Sequence, residues 1–310
     1  MNKIFLTGGT GSFGSNFIDL ILKKKNIEKI VIFSRDELKQ HLLKIKLKKH
    51  IKKLRFLIGD IRDFNRVQSA MADCNLVIHA AALKQVDTCE LNPDECIKTN
   101  IIGSQNVIRA ALNKKVSKSI LISTDKAVNP INLYGACKLS AEKLFISANL
   151  MRGKSSCKFS VVRYGNVLNS RGSVIPHFLK LKNNNSSLPI TDKKMTRFFI
   201  SLGDAIDFVY NSIKLMKGGE IFIPKINSIL ITDIAKALNS NYNIVGIREG
   251  EKIHETLIST DEKRFTIEKK NHFLIIPKKN KIKNNNLRSY NSRDNNFLKI
   301  NDIKKIISKI

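Results

Sequence analysis

The chain has no tryptophan, no long apolar run and no paired cysteines, and each absence excludes a class of protein. Its 310 residues include 5 cysteines, an odd number without a Cys-x-x-Cys pair, which excludes a disulfide scaffold and favours reduced thiols in a cytosol. No apolar run reaches the roughly 20 residues that span a membrane. The first predicted strand already begins at Lys3, so we expect no signal peptide. The histidines lack metal-ligand spacing, and we expect no metal site and a soluble, cytoplasmic protein.

Acidic residues are also scarce. The chain carries 26 Asp and Glu against 55 Lys and Arg, a formal net charge of +29, which would ordinarily suggest binding to nucleic acid or to an anionic membrane. However, the lysines are spread along the chain among many Asn and Ile residues, as A/T-rich coding would produce, and no aromatic side chains alternate with them. We therefore expect neither a nucleic-acid nor a membrane partner, although the field would attract an anionic small molecule.

Short apolar segments alternate with helical patterns through the first half of the chain. This alternation predicts an α/β fold, a Rossmann-type doubly wound parallel sheet with right-handed connections. The predicted strands are Lys3–Thr7, Lys29–Phe33, Leu54–Gly59, Asn75–His79, Lys118–Thr124 and Lys158–Val162. The alternation loosens later, so we expect a nucleotide-binding domain at 1–170 and a smaller substrate-binding lobe with the tail at 171–310, from which later segments return to the sheet.

A glycine-rich turn follows the first strand and opens a helix that we expect to end near Leu22. Gly8 permits the tight turn, Gly11 lets the backbone approach a pyrophosphate, and Gly14 lets the helix pack on the strand. This context indicates a dinucleotide fingerprint, with the pyrophosphate at the helix N-terminus. The candidate contacts are Thr7, Gly8, Thr10, Gly11, Ser12, Phe13 and Gly14.

The end of the second strand bears on the choice of cofactor. Ser34, Arg35 and Lys39 offer a hydroxyl and two cations to a 2′-phosphate, which favours NADP, whereas Asp36 would suit the free ribose of NAD. Ser34 followed by Glu37 also fits a capping box. The other candidate cofactor contacts are Asp60, Ile61, Ala80, Ala81, Ala82, Asn100, Ser123, Val167 and Arg171.

Four reactive side chains follow the fifth predicted strand. Asp125 and Lys126 stand at its carboxyl end, where open α/β sheets bind ligands. Tyr134 and Lys138 are one helical turn apart on the next helix, where a lysine ammonium would favour the phenolate and make the tyrosine a base. A salt-bridged strand end and a chance tyrosine and lysine on a surface helix are the alternatives.

These residues resemble the extended short-chain dehydrogenase/reductases, and in detail the inverting UDP-N-acetylglucosamine 4,6-dehydratases of pseudaminic acid synthesis. The similarity spans nearly the whole chain. The stretches that carry it are Ser34 to Gln40, His79 to Gln85, Lys98 to Gly103, Ser123 to Lys138, Arg163 to Val167, Met195 to Phe198 and Gly250 to Glu255.

The resemblance implies roles for the four reactive side chains. Tyr134 accepts the proton of the 4-hydroxyl while a hydride passes from C4 to NADP. Lys126 then removes the C5 proton, and Asp125 protonates the departing 6-hydroxyl. The hydride returns to C6, which regenerates the cofactor, and C5 is reprotonated from the opposite face to give a UDP-2-acetamido-2,6-dideoxy-L-arabino-4-hexulose. A lysine base requires its pKa to fall, by burial or through positive neighbours such as NADP and Lys138.

The resemblance also implies a set of substrate contacts, in which arginines suit the diphosphate. They are Lys84, Thr124, Asn166, Met195, Arg197, Arg248 and Glu251. At four positions this chain differs from the family pattern. Cys137 replaces the usual Thr, Asp87 and Glu249 each replace Pro, and Phe199 replaces Trp. Glu249 adds negative charge beside the expected diphosphate site, which concerns affinity more than reaction type.

Other interpretations stay open at this point. The chain could be another sugar-nucleotide enzyme of this fold, either a 4-epimerase or a capsule-type dehydratase. Capsule-type relatives, however, usually have Met at the position of Tyr134. A nucleotide- or RNA-binding protein without catalysis is another. By analogy with the family we expect a homo-oligomer, specifically a hexamer, and a product used in flagellin glycosylation or a surface polysaccharide.

Overall fold

A computed structural model describes residues 2–24, 26–153, 155–168, 172–276 and 289–308. Arg171, a predicted cofactor contact, lies outside these residues. Within the described residues, no helix is long and apolar enough to cross a membrane.

The first half of the chain alternates strand and helix as predicted, and the six predicted strands are confirmed to within two residues. The apolar runs of the first, second and fourth strands are buried on both faces, as in parallel sheets. The elements are β1 (Lys3–Thr7), α1 (Ser12–Leu22), β2 (Lys29–Ser34), α2 (Glu37–Lys46), β3 (Leu54–Ile58), α3 (Phe64–Ala70), β4 (Leu76–His79), α4 (Val86–Leu91), α5 (Pro93–Ile97), α6 (Gly103–Asn113), β5 (Lys118–Thr124), α7 (Leu133–Met151) and β6 (Lys158–Tyr164).

The second half contains shorter strands between helices. Its elements are β7 (Asn166–Val167), α8 (Val174–Asn183), β8 (Leu188–Ile190), β9 (Thr196–Ile200), α9 (Leu202–Leu215), β10 (Ile221–Pro224), β11 (Ser228–Leu230), α10 (Ile231–Ala237), β12 (Tyr242–Ile244), β13 (Thr256–Ile258), β14 (Thr266–Glu268), β15 (His272–Ile275), β16 (Tyr290–Asn291) and α11 (Ile300–Ile307).

One large sheet organises these elements, with the strand order β14-β15-β10-β6-β5-β4-β1-β2-β3. The strands from β10 to β3 pair in parallel, and β15 and β14 add an antiparallel edge. The predicted doubly wound parallel sheet is therefore confirmed. Strands from beyond residue 170 join it, while the domain boundary near that residue stays a prediction. The strand order reverses between β1 and β4, the switch point at which such sheets bind ligands.

Successive side chains of a central strand point to opposite faces of the sheet and pack in different layers of the core. Phe5 packs with Phe145 of α7 in one layer, whereas Leu6 packs with Phe17 of α1 in the other. A third cluster, in the second half, includes Phe178, and none of its described members belongs to the main sheet. The sheet thus lies between two apolar layers.

The start of α2 corrects one prediction. Asp36 caps this helix, because its side chain accepts the Lys39 N–H at 2.8 Å. Ser34 still belongs to β2, and its hydroxyl accepts a hydrogen bond of 3.0 Å from Gln40. The Ser34–Glu37 capping box is therefore wrong, because the strand runs one residue further than predicted.

Candidate active site

A cavity of about 870 Å³ opens at the carboxyl ends of the parallel strands. The first five strands contribute to it through the residues that follow them: Gly8 after β1, Arg35 after β2, Asp60 after β3, Ala80 after β4 and Asp125 after β5. Its size and its position at the switch point suit a dinucleotide and a second ligand.

Most of the predicted site residues lie along the wall of this cavity. They are Gly8, Thr10, Gly11, Ser12, Phe13, Gly14, Ser34, Arg35, Lys39, Asp60, Ile61, Ala80, Ala81, Ala82, Lys84, Ser123, Thr124, Asp125, Lys126, Tyr134, Lys138, Asn166, Val167, Arg248 and Glu251. Four others, Thr7, Asn100, Met195 and Arg197, lie behind the wall.

The glycine turn leaves no room for larger residues. Gly8 has φ +65°, and a Cβ there would lie 2.8 Å from the backbone nitrogen of Ala81. A Cβ on Gly14 would lie 2.5 Å from the Gly8 carbonyl oxygen, so helix α1 can begin at this turn only with glycine. The turn therefore provides the close backbone approach that a dinucleotide pyrophosphate requires.

Thr7 acts behind the turn by joining the ends of β1 and β4. Ser104 donates its hydroxyl hydrogen to the Asn100 carbonyl at 2.6 Å, so the His79 Nε2, 3.1 Å from that hydroxyl, carries the ring hydrogen. The Nδ1 then accepts the Thr7 hydroxyl at 2.7 Å. Burial lowers the pKa of His79 to about 3, so the ring is neutral.

The outer end of the cavity contains paired charges. The Lys39 ammonium forms an ion pair with Asp36, and Arg35 lies 3.8 Å from the Asp60 carboxylate and is half exposed. Burial opposes the charge on Asp60, but the hydrogen bonds from Arg62 outweigh it and lower the pKa of Asp60. Arg35 is therefore the more available cation at the ribose end.

Lys126 lies between two buried carboxyl groups at the inner end. Its Nζ is 3.2 Å from Asp125 Oδ1 and 3.1 Å from Glu255 Oε1. Asp125 is fully buried, and its Oδ2 has no hydrogen-bond partner among the described residues. Asp125 and Lys126, which the sequence predicts as an adjacent acid and amine, are thus in contact, and Glu255 adds a second carboxyl group beside Lys126.

The charge state of Lys126 differs from the expectation. Burial disfavours its ammonium, but Asp125 and Glu255 outweigh burial, so the pKa of Lys126 is raised, not lowered. Burial raises the pKa of Asp125 against the opposing effect of Lys126, which favours the neutral acid. The pKa of Lys126 does not fall as expected, because Asp125 and the unforeseen Glu255 together outweigh burial.

Tyr134 and Lys138 project from the first turns of α7. Asn132 caps this helix by accepting the Gly135 N–H at 2.7 Å, and Lys138 donates to the Ile122 carbonyl at 2.7 Å. Burial lowers the pKa of Lys138 to about 8 and raises that of Tyr134 to about 12. The phenol is therefore neutral in the ligand-free cavity, contrary to the expected effect of Lys138.

The residues behind the wall bind protein atoms. Arg197 donates to the backbone carbonyls of Thr196 and Ile253, at 2.8 and 3.1 Å. Met195 is buried and accepts the Thr191 hydroxyl. The Asn100 amide makes two hydrogen bonds of 2.8 Å with the backbone of Leu83, which shapes the loop after β4.

Glu255 is the main lining residue that the sequence patterns did not single out. The stretch from Gly250 to Glu255 was visible as part of the resemblance, but the approach of Glu255 to Lys126 joins distant parts of the chain. Among the described residues, no group of His, Cys, Asp or Glu side chains could hold a metal ion.

The sheet, the glycine turn and the Tyr134–Lys138 pair at one cavity define a nucleotide-binding α/β protein of the extended short-chain dehydrogenase/reductase type. Residues 4–277 match the family described as polysaccharide biosynthesis protein, and the chain belongs to that family.

Individual relatives agree with this assignment. The chain is 51% identical, over 89% of its length and 83% of the relative's, to the inverting UDP-N-acetylglucosamine 4,6-dehydratase of Campylobacter jejuni. It is also 46% identical, over 84% of its length and 78% of the relative's, to a UDP-glucose 4-epimerase of Rickettsia bellii. The X-ray structure of Pen from Bacillus thuringiensis superposes with a TM-score of 0.93 and 37% identity, over 100% of this chain and 98% of that one.

Proposed function

We propose that this protein is an inverting UDP-N-acetylglucosamine 4,6-dehydratase that uses NADP. The observation that carries the proposal is the buried contact between Lys126 and Asp125, because it places an amine and a carboxylic acid at one point of a nucleotide-binding cavity. Dehydration next to a ketone requires such a base and acid together.

A nicotinamide cofactor held by the glycine turn and Arg35 would supply the hydride acceptor for C4 and the hydride donor for C6. Tyr134 lines the cavity and would take the 4-hydroxyl proton. Burial raises the pKa of this phenol, and the nearby Lys126 ammonium acts in the opposite direction. A cationic ligand beside Tyr134 would lower that pKa further. Lys138, held on the Ile122 carbonyl, adds positive charge behind the same site.

Asp125 is the proton donor to the departing 6-hydroxyl, since burial favours its neutral form. Lys126 is the C5 base. It is an ammonium in the ligand-free cavity, so it must lose a proton before it can accept one, and binding of substrate and cofactor has to lower its pKa.

Substrate contacts are proposed on the opposite wall. Arg248 and Glu251 lie in one turn, in which the Glu251 N–H donates to the Arg248 carbonyl at 3.1 Å. Asn132 holds this turn against α7 through the Gly250 carbonyl. The Asn166 amide oxygen lacks a hydrogen-bond partner among the described residues, which supports a polar ligand there. Arg248 is therefore the arginine in place for a diphosphate, whereas Arg197 acts from behind the wall.

NADP is preferred over NAD in this proposal because Arg35 is half exposed at the ribose end and available to a 2′-phosphate. The cytoplasmic location, the homo-oligomer and a product destined for pseudaminic acid or another surface glycan stay predictions.

A UDP-sugar 4-epimerase is the second candidate, because the Rickettsia bellii relative carries that name. Epimerases need the tyrosine and the hydride transfer but no C5 base, so Lys126 argues against this activity. The discriminating experiment is NMR of purified protein with UDP-N-acetylglucosamine in D₂O. We expect a 6-deoxy-4-keto product with deuterium at C5 and L-arabino geometry. A D-xylo product would contradict inversion, and a 4-epimer would contradict dehydration.

A further inference from the structure

Glu255 is a buried carboxylate at a cavity that already has its acid and its base. It stands just before β13, and 2% of its surface is exposed. Ser292 fixes its backbone from both sides, accepting the Glu255 N–H at 2.9 Å and donating its own N–H to the Glu255 carbonyl at 2.8 Å. A buried charge held this firmly requires partners or a function.

Three cations surround this carboxylate. Lys126 lies 3.1 Å from Oε1, Arg197 lies 3.9 Å from the same oxygen, and Lys252 lies 3.9 Å from Oε2. Oε2 accepts no hydrogen bond from the described residues. Lys252 is tied to the Val128 carbonyl, and Arg197 to backbone carbonyls, so Lys126 is the cation that Glu255 contacts most closely.

The charges around Lys126 show why a second carboxylate matters. Asp125 contacts it from the turn after β5, Glu255 from the segment before β13, and Arg197, Lys252 and the Tyr134 phenol complete its charged and titratable surroundings. With Glu255 present, the ammonium has a counter-charge other than Asp125. Without it, Lys126 and Asp125 would form a lone ion pair and Asp125 would lose its proton.

We propose that Glu255 is a positioning residue of the dehydration step: it balances the charge of Lys126 so that Asp125 can remain the neutral acid. This inference rests on the proposed function. Glu255 acts through Lys126 and needs no contact with the substrate. Tyr134 and the glycine turn are untouched, so cofactor binding and hydride transfer from C4 should not depend on it.

The direct test is the titration of Lys126 in the ligand-free protein. Protein labelled with ¹³C at lysine Cε is titrated by NMR, and Lys126→Met identifies the signal. In wild type the Lys126 signal should titrate above the other lysines, and in Glu255→Gln it should move to lower pH. Glu255→Asp, which restores the charge, should move it back. An unchanged Lys126 titration in Glu255→Gln would overturn the proposal.

Glu262→Gln is the matched control, because Glu262 is also paired, with Arg163, but is absent from the cavity wall. It should leave the Lys126 titration unchanged even if it destabilises the fold. A shift as large as that of Glu255→Gln would overturn the proposal, because a structural loss would then explain both.

The kinetic test separates this inference from the proposed function. In Glu255→Gln we expect kcat near neutral pH to fall on the order of 10²-fold with KM nearly unchanged, because Asp125 then loses the proton that it would give to the departing 6-hydroxyl. The alkaline limb of the kcat profile, which reports the loss of that proton, should move to lower pH. If the wild-type protein forms no 4-keto product, the proposed function is refuted. The NMR titration would still test whether Glu255 sets the charge state of Lys126. An active wild type with an unshifted Glu255→Gln profile would refute the role of Glu255 alone.

Discussion

The ammonium of Lys126 lies 3.2 Å from Oδ1 of Asp125, the residue before it in the chain. Lys126→Ala removes the proposed C5 base while leaving the glycine turn and Arg248 intact. We expect dehydration to fall by about 10²- to 10⁴-fold, with substrate binding and reduction of the cofactor retained. Single-turnover absorbance of the reduced cofactor, read beside product analysis, checks both. Lys225→Ala, at a surface ion pair, is the control, and near wild-type turnover in Lys126→Ala would refute its role.

Tyr134→Phe should stop the reaction one step earlier. Without the phenol, no side chain takes the 4-hydroxyl proton, so no reduced cofactor should appear in a single turnover although both ligands still bind. Tyr210→Phe is the control, since Tyr210 packs under Lys214 on α9, outside the cavity wall. Accumulation of reduced cofactor in Tyr134→Phe would show that another group is the first base.

The pKa of the Tyr134 phenol, raised to about 12 by burial, gives a separate prediction. Below that pH the ligand-free protein should hold this residue as a neutral phenol, and binding of oxidised cofactor, which adds positive charge, should lower the pKa. Ultraviolet difference titration of wild type against Tyr134→Phe, with and without NADP, measures the shift. A pKa unchanged by the cofactor would contradict the idea that the positive ligand activates this tyrosine.

The sequence was sufficient wherever the signal is local. An apolar run predicted both ends of β5 correctly. The four-residue spacing of Tyr134 and Lys138 predicted that they share one face of helix α7. Glu255 was missed because its contact with Lys126 depends on how the segment before β13 returns to the sheet edge. Glu255 adds to the effect of the adjacent Asp125 in raising the pKa of Lys126, and no local pattern records such a distant counter-charge.

The charge at the ribose end leads to a prediction about cofactor choice. Arg35→Ala should weaken NADP binding by roughly tenfold to a hundredfold, as expected for a lost charged hydrogen bond of about 1.5–3 kcal/mol, and should leave NAD binding nearly unchanged. Titration calorimetry with both cofactors measures this, and NAD is the internal control. Equal loss for both would show that Arg35 does not recognise the 2′-phosphate.

Gly14→Ala tests the turn itself. The added Cβ would lie 2.5 Å from the Gly8 carbonyl oxygen, so the turn must open and cofactor affinity should be lost. Gly203→Ala in the first turn of α9 is the matched control, because its Cβ would meet its nearest atom only at 3.9 Å. Alanine there should be neutral or slightly stabilising. Cofactor binding by Gly14→Ala at wild-type affinity would refute the assignment of this turn.

The last prediction concerns acid stability and the buried guanidinium of Arg163. This side chain donates to both oxygens of Glu142, at 3.0 and 2.6 Å, and to both oxygens of Glu262, at 2.9 Å each. Burial opposes the charge of Glu262, but Arg163 outweighs it and lowers the pKa of Glu262 below its ordinary value of 4.5. Its contribution to stability is therefore present above that value and is lost as the pH falls through the lower folded-state pKa.

Glu262→Gln removes that contribution. We expect the free energy of unfolding to drop by about 1–3 kcal/mol at neutral pH and by less in acid, so the curve of stability against pH should flatten on its acid side. Urea unfolding at several pH values measures this. Glu268→Gln, at an exposed pair with Lys225, should change stability by under about 1 kcal/mol at every pH. A Glu262→Gln loss that is the same at all pH values would mean that Glu262 stabilises the fold by packing and not through its charge.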